Sequence, residues 1–87
     1  MGLANGKHGD RPVAWVTGAS RGMGASVARY LAEAGYDLAI TARDQRRLDA
    51  VAEQLASGGA SVLAMASDLT DRPSLVAFAD AALARFG

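Results

Sequence analysis

The segment TGASRGMGAS, residues 17 to 26, contains three glycines in a spacing that does not match the best-known dinucleotide fingerprint. It leads from an apolar run, PVAWVTG at 12 to 18, into a stretch with the apolar periodicity of a helix. A loop of this kind places free backbone N–H groups at the positive end of the helix dipole. The sequence therefore predicts a local anion site that suits a pyrophosphate.

The three glycines have different predicted tasks. Gly18 permits the sharp turn, Gly22 the close approach of backbone to a phosphate, and Gly24 the tight packing of helix on strand. Their spacing, Gly-x-x-x-Gly-x-Gly, differs from the Gly-x-Gly-x-x-Gly of the common dinucleotide fingerprint. A phosphate-loop NTPase needs a Lys after its last glycine, whereas Ala25 follows Gly24. A tight turn that holds no ligand stays open as an alternative on glycine spacing alone.

Alternating elements must position this loop. Apolar runs at 12 to 18, 37 to 42 and 61 to 67 predict strands, and an amphipathic segment follows each of them. Asp44 and Asp71 stand where the second and third helices would begin. The order βαβαβα predicts an α/β fold with a parallel sheet, right-handed crossovers and strand order 3-2-1. This is one half of a Rossmann-type doubly wound sheet.

Composition excludes several classes of function. Nine Lys and Arg balance nine Asp and Glu, so no overall field attracts nucleic acid or a membrane surface. The chain contains no Cys, which excludes thiolate zinc sites and cysteine nucleophiles and fits the cytoplasm. Residues 1 to 10 are Gly-rich and polar, so we expect a flexible N-terminal tail with no metal site.

Two motifs resemble those of the short-chain dehydrogenases/reductases. TGASRGMG is similar to the TGxxxGxG cofactor loop of that family, and SDLTD at 67 to 71 is similar to the segment after its third strand. The resemblance covers residues 12 to 87. It implies that the cofactor pyrophosphate is held by Gly18, Ser20, Arg21, Gly22, Met23 and Gly24. It also implies that Asp68 binds the adenine amino group with Leu69 beside it, although a helix cap is an alternative role for Asp68.

The end of the second predicted strand indicates which nicotinamide cofactor is bound. It lies about 20 residues beyond the glycine loop, where an acid would bind the ribose 2′-OH and an Arg would favour a 2′-phosphate. Ala42 and Arg43 occupy this place, and Arg43 offers a planar fork of donors. In that family, a pair of basic residues at the positions of Arg21 and Arg43 implies a preference for NADP(H). NAD(H) remains possible because Asp44 could reach a ribose hydroxyl.

No catalytic residue can be assigned. The family resemblance implies hydride transfer to a ketone or 3-oxoacyl group, with a Ser and a Tyr-x-x-x-Lys motif. Tyr30 is followed four residues later by Ala34 and Tyr36 by Ile40, so neither matches. We therefore expect residues 11 to 87 to be a partial NAD(P)-binding Rossmann domain, truncated before the fourth strand and inactive alone. The full-length enzyme would be an oxidoreductase that forms a homo-oligomer.

Two other interpretations remain. The chain could be a non-catalytic NADP(H)-binding module or decayed gene product that needs a partner chain, or an α/β domain whose loop binds nothing. A missing fourth strand would leave the strand at 12 to 18 on an exposed sheet edge. We therefore expect marginal stability and self-association.

Overall fold

The computed structural model of the chain describes residues 2–8 and 11–87. Four strands and three helices follow one another along these residues. They are β1 Gly2–His8, β2 Arg11–Thr17, α1 Gly22–Glu33, β3 Asp37–Thr41, α2 Gln45–Ser57, β4 Val62–Ala64 and α3 Arg72–Phe86. Within the described ranges, no helix has the length and apolar character that crossing a bilayer requires.

The strands form one sheet in the order β1-β2-β3-β4. The pairs β2/β3 and β3/β4 are parallel, which confirms the α/β fold and the predicted 3-2-1 order of the three strands. β4 is shorter than the run at 61 to 67 predicts. The chain beyond it still follows β3, because the Met65 and Ser67 N–H groups donate to the carbonyls of Ile40 and Ala42.

The N-terminal segment differs from its prediction as a flexible tail. Gly2–His8 forms β1 and pairs antiparallel with β2, while residues 1, 9 and 10 lie outside the described residues. The predicted exposure of the β2 edge is therefore also wrong. The physical reason is that an unpaired edge presents a row of N–H and C=O groups, which any nearby extended segment can satisfy.

Helices cover both faces of the sheet. One face packs against α1 and α2 in a cluster that includes Val16, Ile40 and Leu48, each with no exposed surface. The other face packs against α3 through Val13, Ala39, Phe78, Ala82 and Phe86. Residues of β2 and β3 alternate between the two clusters because successive strand residues point to opposite faces. The three parallel strands are thus held with their carboxyl ends at one edge.

Side-chain caps fix two of the three helix starts. The Asp44 carboxylate accepts a hydrogen bond from the Arg47 backbone N–H, and Asp71 accepts one from the Ser74 backbone N–H. Both caps agree with the sequence prediction. The first helix begins differently: Arg21 stands at its N-cap position and makes no capping hydrogen bond with its side chain.

A partly buried ion pair joins the starts of two neighbouring strands. The Asp37 carboxylate, 1% exposed, accepts from the Arg11 guanidinium at 2.7 Å and from the Ser61 backbone N–H at 2.9 Å. Because these contacts lie where β2 and β3 begin, they hold the amino edge of the sheet. The polar residues of the candidate site lie at the opposite, carboxyl edge of the sheet.

Candidate functional site

A cleft of about 850 Å³ lies at the carboxyl ends of the parallel strands. This is the edge at which open α/β sheets bind ligands. The glycine loop forms one side of the cleft, and the segments after β3 and β4 form the other. The lining residues are Gly18, Ser20, Arg21, Gly22, Thr41, Ala42, Arg43, Asp44, Arg47, Ser67, Asp68, Leu69 and Thr70.

The backbone of the glycine loop requires glycine at three positions. Gly18 and Gly22 have φ values of +63° and +60°, a region that other residues rarely adopt. A Cβ at Gly24 would overlap the backbone carbonyl group of Gly18. The close contact predicted for Gly24 is therefore made with the loop itself, immediately beyond β2. The Ala19 N–H donates to the Thr41 carbonyl at 3.1 Å and fixes the loop beside β3.

The start of α1 is suited to an anion. The first helical hydrogen bond runs from the Ala25 N–H to the Arg21 carbonyl at 3.4 Å, so the N–H groups just before it have no partner within the helix. The first turn contains no acidic side chain and no side-chain cap. Free donors and the helix dipole therefore favour a negatively charged group in front of Gly22.

Three hydrogen bonds hold the opposite wall of the cleft in place. The buried hydroxyls of Thr41 and Ser67 share a hydrogen bond that joins the end of β3 to the segment after β4. Gln45, at the start of α2, accepts from the Ala66 N–H at 2.8 Å. The Ser74 hydroxyl accepts from the Asp68 N–H at 3.0 Å, so α3 also positions this segment.

An ion pair spans this wall. Arg43 Nη2 donates to Asp68 Oδ2 at 3.1 Å, and the Arg43 side chain remains 76% exposed. The other oxygen, Asp68 Oδ1, accepts from the Thr70 backbone N–H at 2.9 Å and from its hydroxyl at 2.7 Å. These Thr70 hydrogen bonds, followed by the Arg43 contact, lower the pKa of Asp68 to about 2. Asp68 is thus a carboxylate at neutral pH and can only accept hydrogen bonds.

The Asp68 titration gives a direct prediction. Because the pKa of Asp68 is lowered in the folded chain, the ionised carboxylate stabilises the fold above about pH 4. This stabilisation is lost as the pH falls from 3.8, the ordinary pKa of the group, towards its folded-state pKa of about 2. We expect Thr70→Val to raise the pKa of Asp68 because the hydroxyl donor is lost, and Arg43→Ala to raise it less. NMR titration of the Asp68 carboxyl carbon measures both. An unchanged pKa in Thr70→Val would contradict the hydrogen-bond assignment.

The cleft brings most of the predicted site residues together. Those that line it are Gly18, Ser20, Arg21, Gly22, Arg43, Asp68 and Leu69. Met23 and Gly24 do not line it: Met23 is 79% exposed, and Gly24 lies behind Gly18. The capping role considered for Asp68 is wrong, because α3 begins at Arg72 and Asp71 is its cap.

Sequence reasoning missed several lining residues. Thr41 belongs to no motif, and Ser67 and Thr70 have no predicted role within SDLTD; the places of all three depend on how the two strand ends meet. Arg47 also lines the cleft, although a helical Arg more commonly points to solvent. Its place in the first turn of α2, which follows closely after the end of β3, is the signal that could have found it.

Comparison with known proteins agrees with this fold. Residues 12–87 match the family described as short chain dehydrogenase. The 3-oxoacyl-[acyl-carrier-protein] reductase FabG of Staphylococcus aureus is 36% identical over 75 residues, which cover 85% of this chain and 30% of that protein. This chain therefore belongs to the short-chain dehydrogenase family.

Two solved structures illustrate the structural similarity. An alcohol dehydrogenase from the archaeon Thermococcus sibiricus, complexed with 5-hydroxy-NADP, has a TM-score of 0.84 and 42% identity, covering 86% of this chain and 32% of its own. A short-chain dehydrogenase/reductase from Burkholderia phymatum, in complex with NAD, has a TM-score of 0.86 and 35% identity, covering 90% of this chain and 28% of its own. The chain spans between 6% and 30% of the length of the curated relatives that it matches.

Proposed function

We propose that this chain is the cofactor-binding portion of an NADP(H)-dependent short-chain oxidoreductase. One observation carries the proposal: the uncapped glycine loop and the exposed Arg43 guanidinium line the same cleft. The loop suits a pyrophosphate, and Arg43 stands at the strand end where a ribose 2′-phosphate would lie. A dinucleotide with both groups would use both sides of the cleft.

The other predicted residues fit the same ligand. The lining residues Gly18, Ser20, Arg21 and Gly22 would surround the pyrophosphate, and Met23 and Gly24 would continue the same backbone into the first turn of α1. Arg21 and Arg43 would share the charge of the 2′-phosphate, because guanidinium groups bind phosphate with paired hydrogen bonds. Arg47 lines the cleft beside them and adds a third positive charge.

Asp68 and Leu69 would hold the adenine. Asp68 remains ionised because its pKa is about 2, so its oxygens can accept a hydrogen bond from the adenine amino group. Leu69 lines the cleft with 54% of its surface exposed, which leaves apolar area for the base to cover. When the cofactor binds, the Arg43 guanidinium would leave the Asp68 carboxylate and pair with the 2′-phosphate, which carries more negative charge.

The two solved relatives support a nicotinamide dinucleotide in general, since one is complexed with 5-hydroxy-NADP and the other with NAD. The preference for NADP(H) therefore rests on Arg43 and Arg21 of this chain. NAD(H) is the second candidate, and Asp44 at the cleft wall is the residue that favours it, because a carboxylate can accept from a ribose 2′-OH.

The proposed reaction is hydride transfer from the cofactor to a carbonyl or 3-oxoacyl group. The similarity to a 3-oxoacyl reductase supports this reaction type. The bound cofactor would supply the hydride, and this chain would orient its adenosine and pyrophosphate groups. No Tyr-x-x-x-Lys sequence occurs in the 87 residues. We therefore propose that proton transfer belongs to a further part of a homo-oligomeric cytoplasmic enzyme and that the 87 residues alone are inactive.

Replacement of Arg43 tests the cofactor assignment. We expect Arg43→Ala to weaken NADPH binding by about 1.5–3 kcal/mol, roughly 10- to 100-fold, because a charge-assisted hydrogen bond is lost. NADH binding should change little, since NADH has no 2′-phosphate. Isothermal titration calorimetry with both cofactors measures the two affinities.

Arg46→Ala is the matched control for charge. Arg46 is an exposed arginine in the first turn of α2, three residues after Arg43, and it does not line the cleft. Both affinities should therefore remain near those of the unmodified chain. An unchanged NADPH-to-NADH ratio in Arg43→Ala would remove Arg43 from the site. Equal losses in the two Arg variants would assign the effect to overall charge.

A further inference from the structure

The Asp68 carboxylate has a partner on each of its two oxygens. Oδ1 accepts from the Thr70 backbone N–H at 2.9 Å and from the Thr70 hydroxyl at 2.7 Å. Oδ2 accepts from Arg43 Nη2 at 3.1 Å. A carboxylate offers about four acceptor positions, two on each oxygen. Thr70 fills both positions on Oδ1, so a further donor must approach Oδ2 beside the Arg43 guanidinium.

The two partners of Asp68 differ in how firmly they are tied to it. Thr70 lies in the same turn, and the Ser74 hydroxyl accepts from the Asp68 backbone N–H at 3.0 Å, so the carboxylate is fixed from its own segment. Arg43 reaches Asp68 from the end of β3, on a side chain that is 76% exposed. Exposed ion pairs contribute little free energy. A stronger anion can therefore draw Arg43 away while the carboxylate stays in place.

The position of Arg43 decides what Oδ2 offers to a ligand. While the pair is formed, the guanidinium takes one acceptor position of Oδ2 and neutralises part of the carboxylate charge. Once Arg43 leaves, both positions are open and the full negative charge returns. Hydrogen bonds to a charged acceptor are stronger than those to a neutral one. Both effects have the same sign, so an N–H donor binds Oδ2 more tightly after Arg43 has left.

We propose that the Arg43–Asp68 ion pair couples recognition of a 2′-phosphate to recognition of adenine, because Arg43 covers Oδ2 until a phosphate draws it away. This inference rests on the proposed function and adds a role that neither residue has alone. With NADPH, the adenine amino group would meet an open carboxylate oxygen. With NADH, it would meet an oxygen still shared with Arg43. The chain would then discriminate between the two cofactors at the adenine ring as well as at the ribose.

Cofactors without the adenine amino group test the coupling. In deamino-NADPH and deamino-NADH, hypoxanthine replaces adenine, so the donor to Oδ2 is lost. We expect this change to weaken binding of the phosphorylated cofactor about fivefold, the scale of one hydrogen bond, and binding of the other by less than about twofold. Calorimetric titration of the intact chain with the four cofactors measures both losses.

Three variants show whether the pair is responsible. Arg43→Ala should make the two losses equal, because Oδ2 is then open with either cofactor. Arg46→Ala is the matched control and should keep the difference, since Arg46 is exposed and does not line the cleft. Asp68→Asn should remove the loss seen with deamino-NADPH. The Thr70 donors keep the amide oxygen of that variant on their side, which places the amide nitrogen, a donor, where Oδ2 stood.

The outcomes separate the coupling from the proposed function. Equal losses in the unmodified chain, with NADPH still binding saturably, would overturn the coupling and leave the proposed function intact. A difference that persists in Arg43→Ala would do the same. Failure of all four cofactors to saturate would contradict the proposed function and the coupling with it. A larger loss with the phosphorylated cofactor that Arg43→Ala abolishes and Arg46→Ala retains would support the coupling.

Discussion

Gly24→Ala should abolish measurable NADPH binding and lower the free energy of unfolding by about 3 kcal/mol, the upper end for overpacking that moves backbone. The added Cβ would overlap the Gly18 carbonyl group, so either the loop or the first turn of α1 must move. Movement of either would displace the N–H groups that face the cleft. Calorimetric titration and urea unfolding measure the two effects.

Gly58→Ala is the control for the loss of a glycine. Gly58 has a φ of −87° at the end of α2, and a Cβ there would lie 3.6 Å from the Leu55 carbonyl oxygen. We expect a change of less than about 1 kcal/mol, since alanine fits this conformation without strain. Unimpaired NADPH binding by Gly24→Ala would show that the loop does not hold the cofactor as proposed.

Phe78→Ala should destabilise the chain by about 3–5 kcal/mol, the range for removing a buried aromatic ring. Phe78 is 2% exposed and is the largest fully buried side chain among the described residues. Its ring meets Trp15 edge to face at a centroid distance of 5.9 Å, and it packs against Val13 and Ala39. The loss is a large share of the roughly 5–15 kcal/mol that holds a natural domain together.

Val76→Ala on the same helix is the control for Phe78→Ala. Val76 is 48% exposed, so its truncation should change the free energy of unfolding by no more than about 0.5 kcal/mol. Urea unfolding followed by circular dichroism compares the two variants. Equal stability of Phe78→Ala and Val76→Ala would contradict the packing of α3 on the sheet.

The sequence alone predicted most of the parallel sheet. Apolar runs with buried residues on both faces, such as the one around Val16, mark central strands without further information. The caps at Asp44 and Asp71 follow from the short-range rule that a carboxylate accepts from an N–H group three residues later. Chain order and crossover handedness then leave few ways to arrange three strands.

The strand β1 could not be predicted in the same way. Its composition is that of a loop, and its extended form depends on hydrogen-bonding groups that β2 presents from a distant part of the fold. Strand pairing of this kind is tertiary, so local propensity gives no signal for it. The third strand was overestimated for the opposite reason: its apolar run extends beyond the residues that pair regularly with β3.

Part of the cleft also could not be predicted from the sequence. Gly18, Gly22 and Arg43 could be placed there from the loop motif and the strand end. The contacts of Asp68 with Thr70 and Arg43 could not, because the Arg43 pair joins residues 25 positions apart through the geometry of two strand ends. Arg47 was missed because helical periodicity does not predict the direction in which a long side chain extends from the helix.

Titration of the unmodified chain with NADPH and NADH tests the central claim most directly. Calorimetry on the intact 87-residue chain needs no catalytic residue and no substrate. The account predicts saturable binding of NADPH, with NADH weaker by about tenfold or more, as expected for at least one charge-assisted contact to the 2′-phosphate. Equal or tighter binding of NADH, or no saturation with either cofactor, would contradict it.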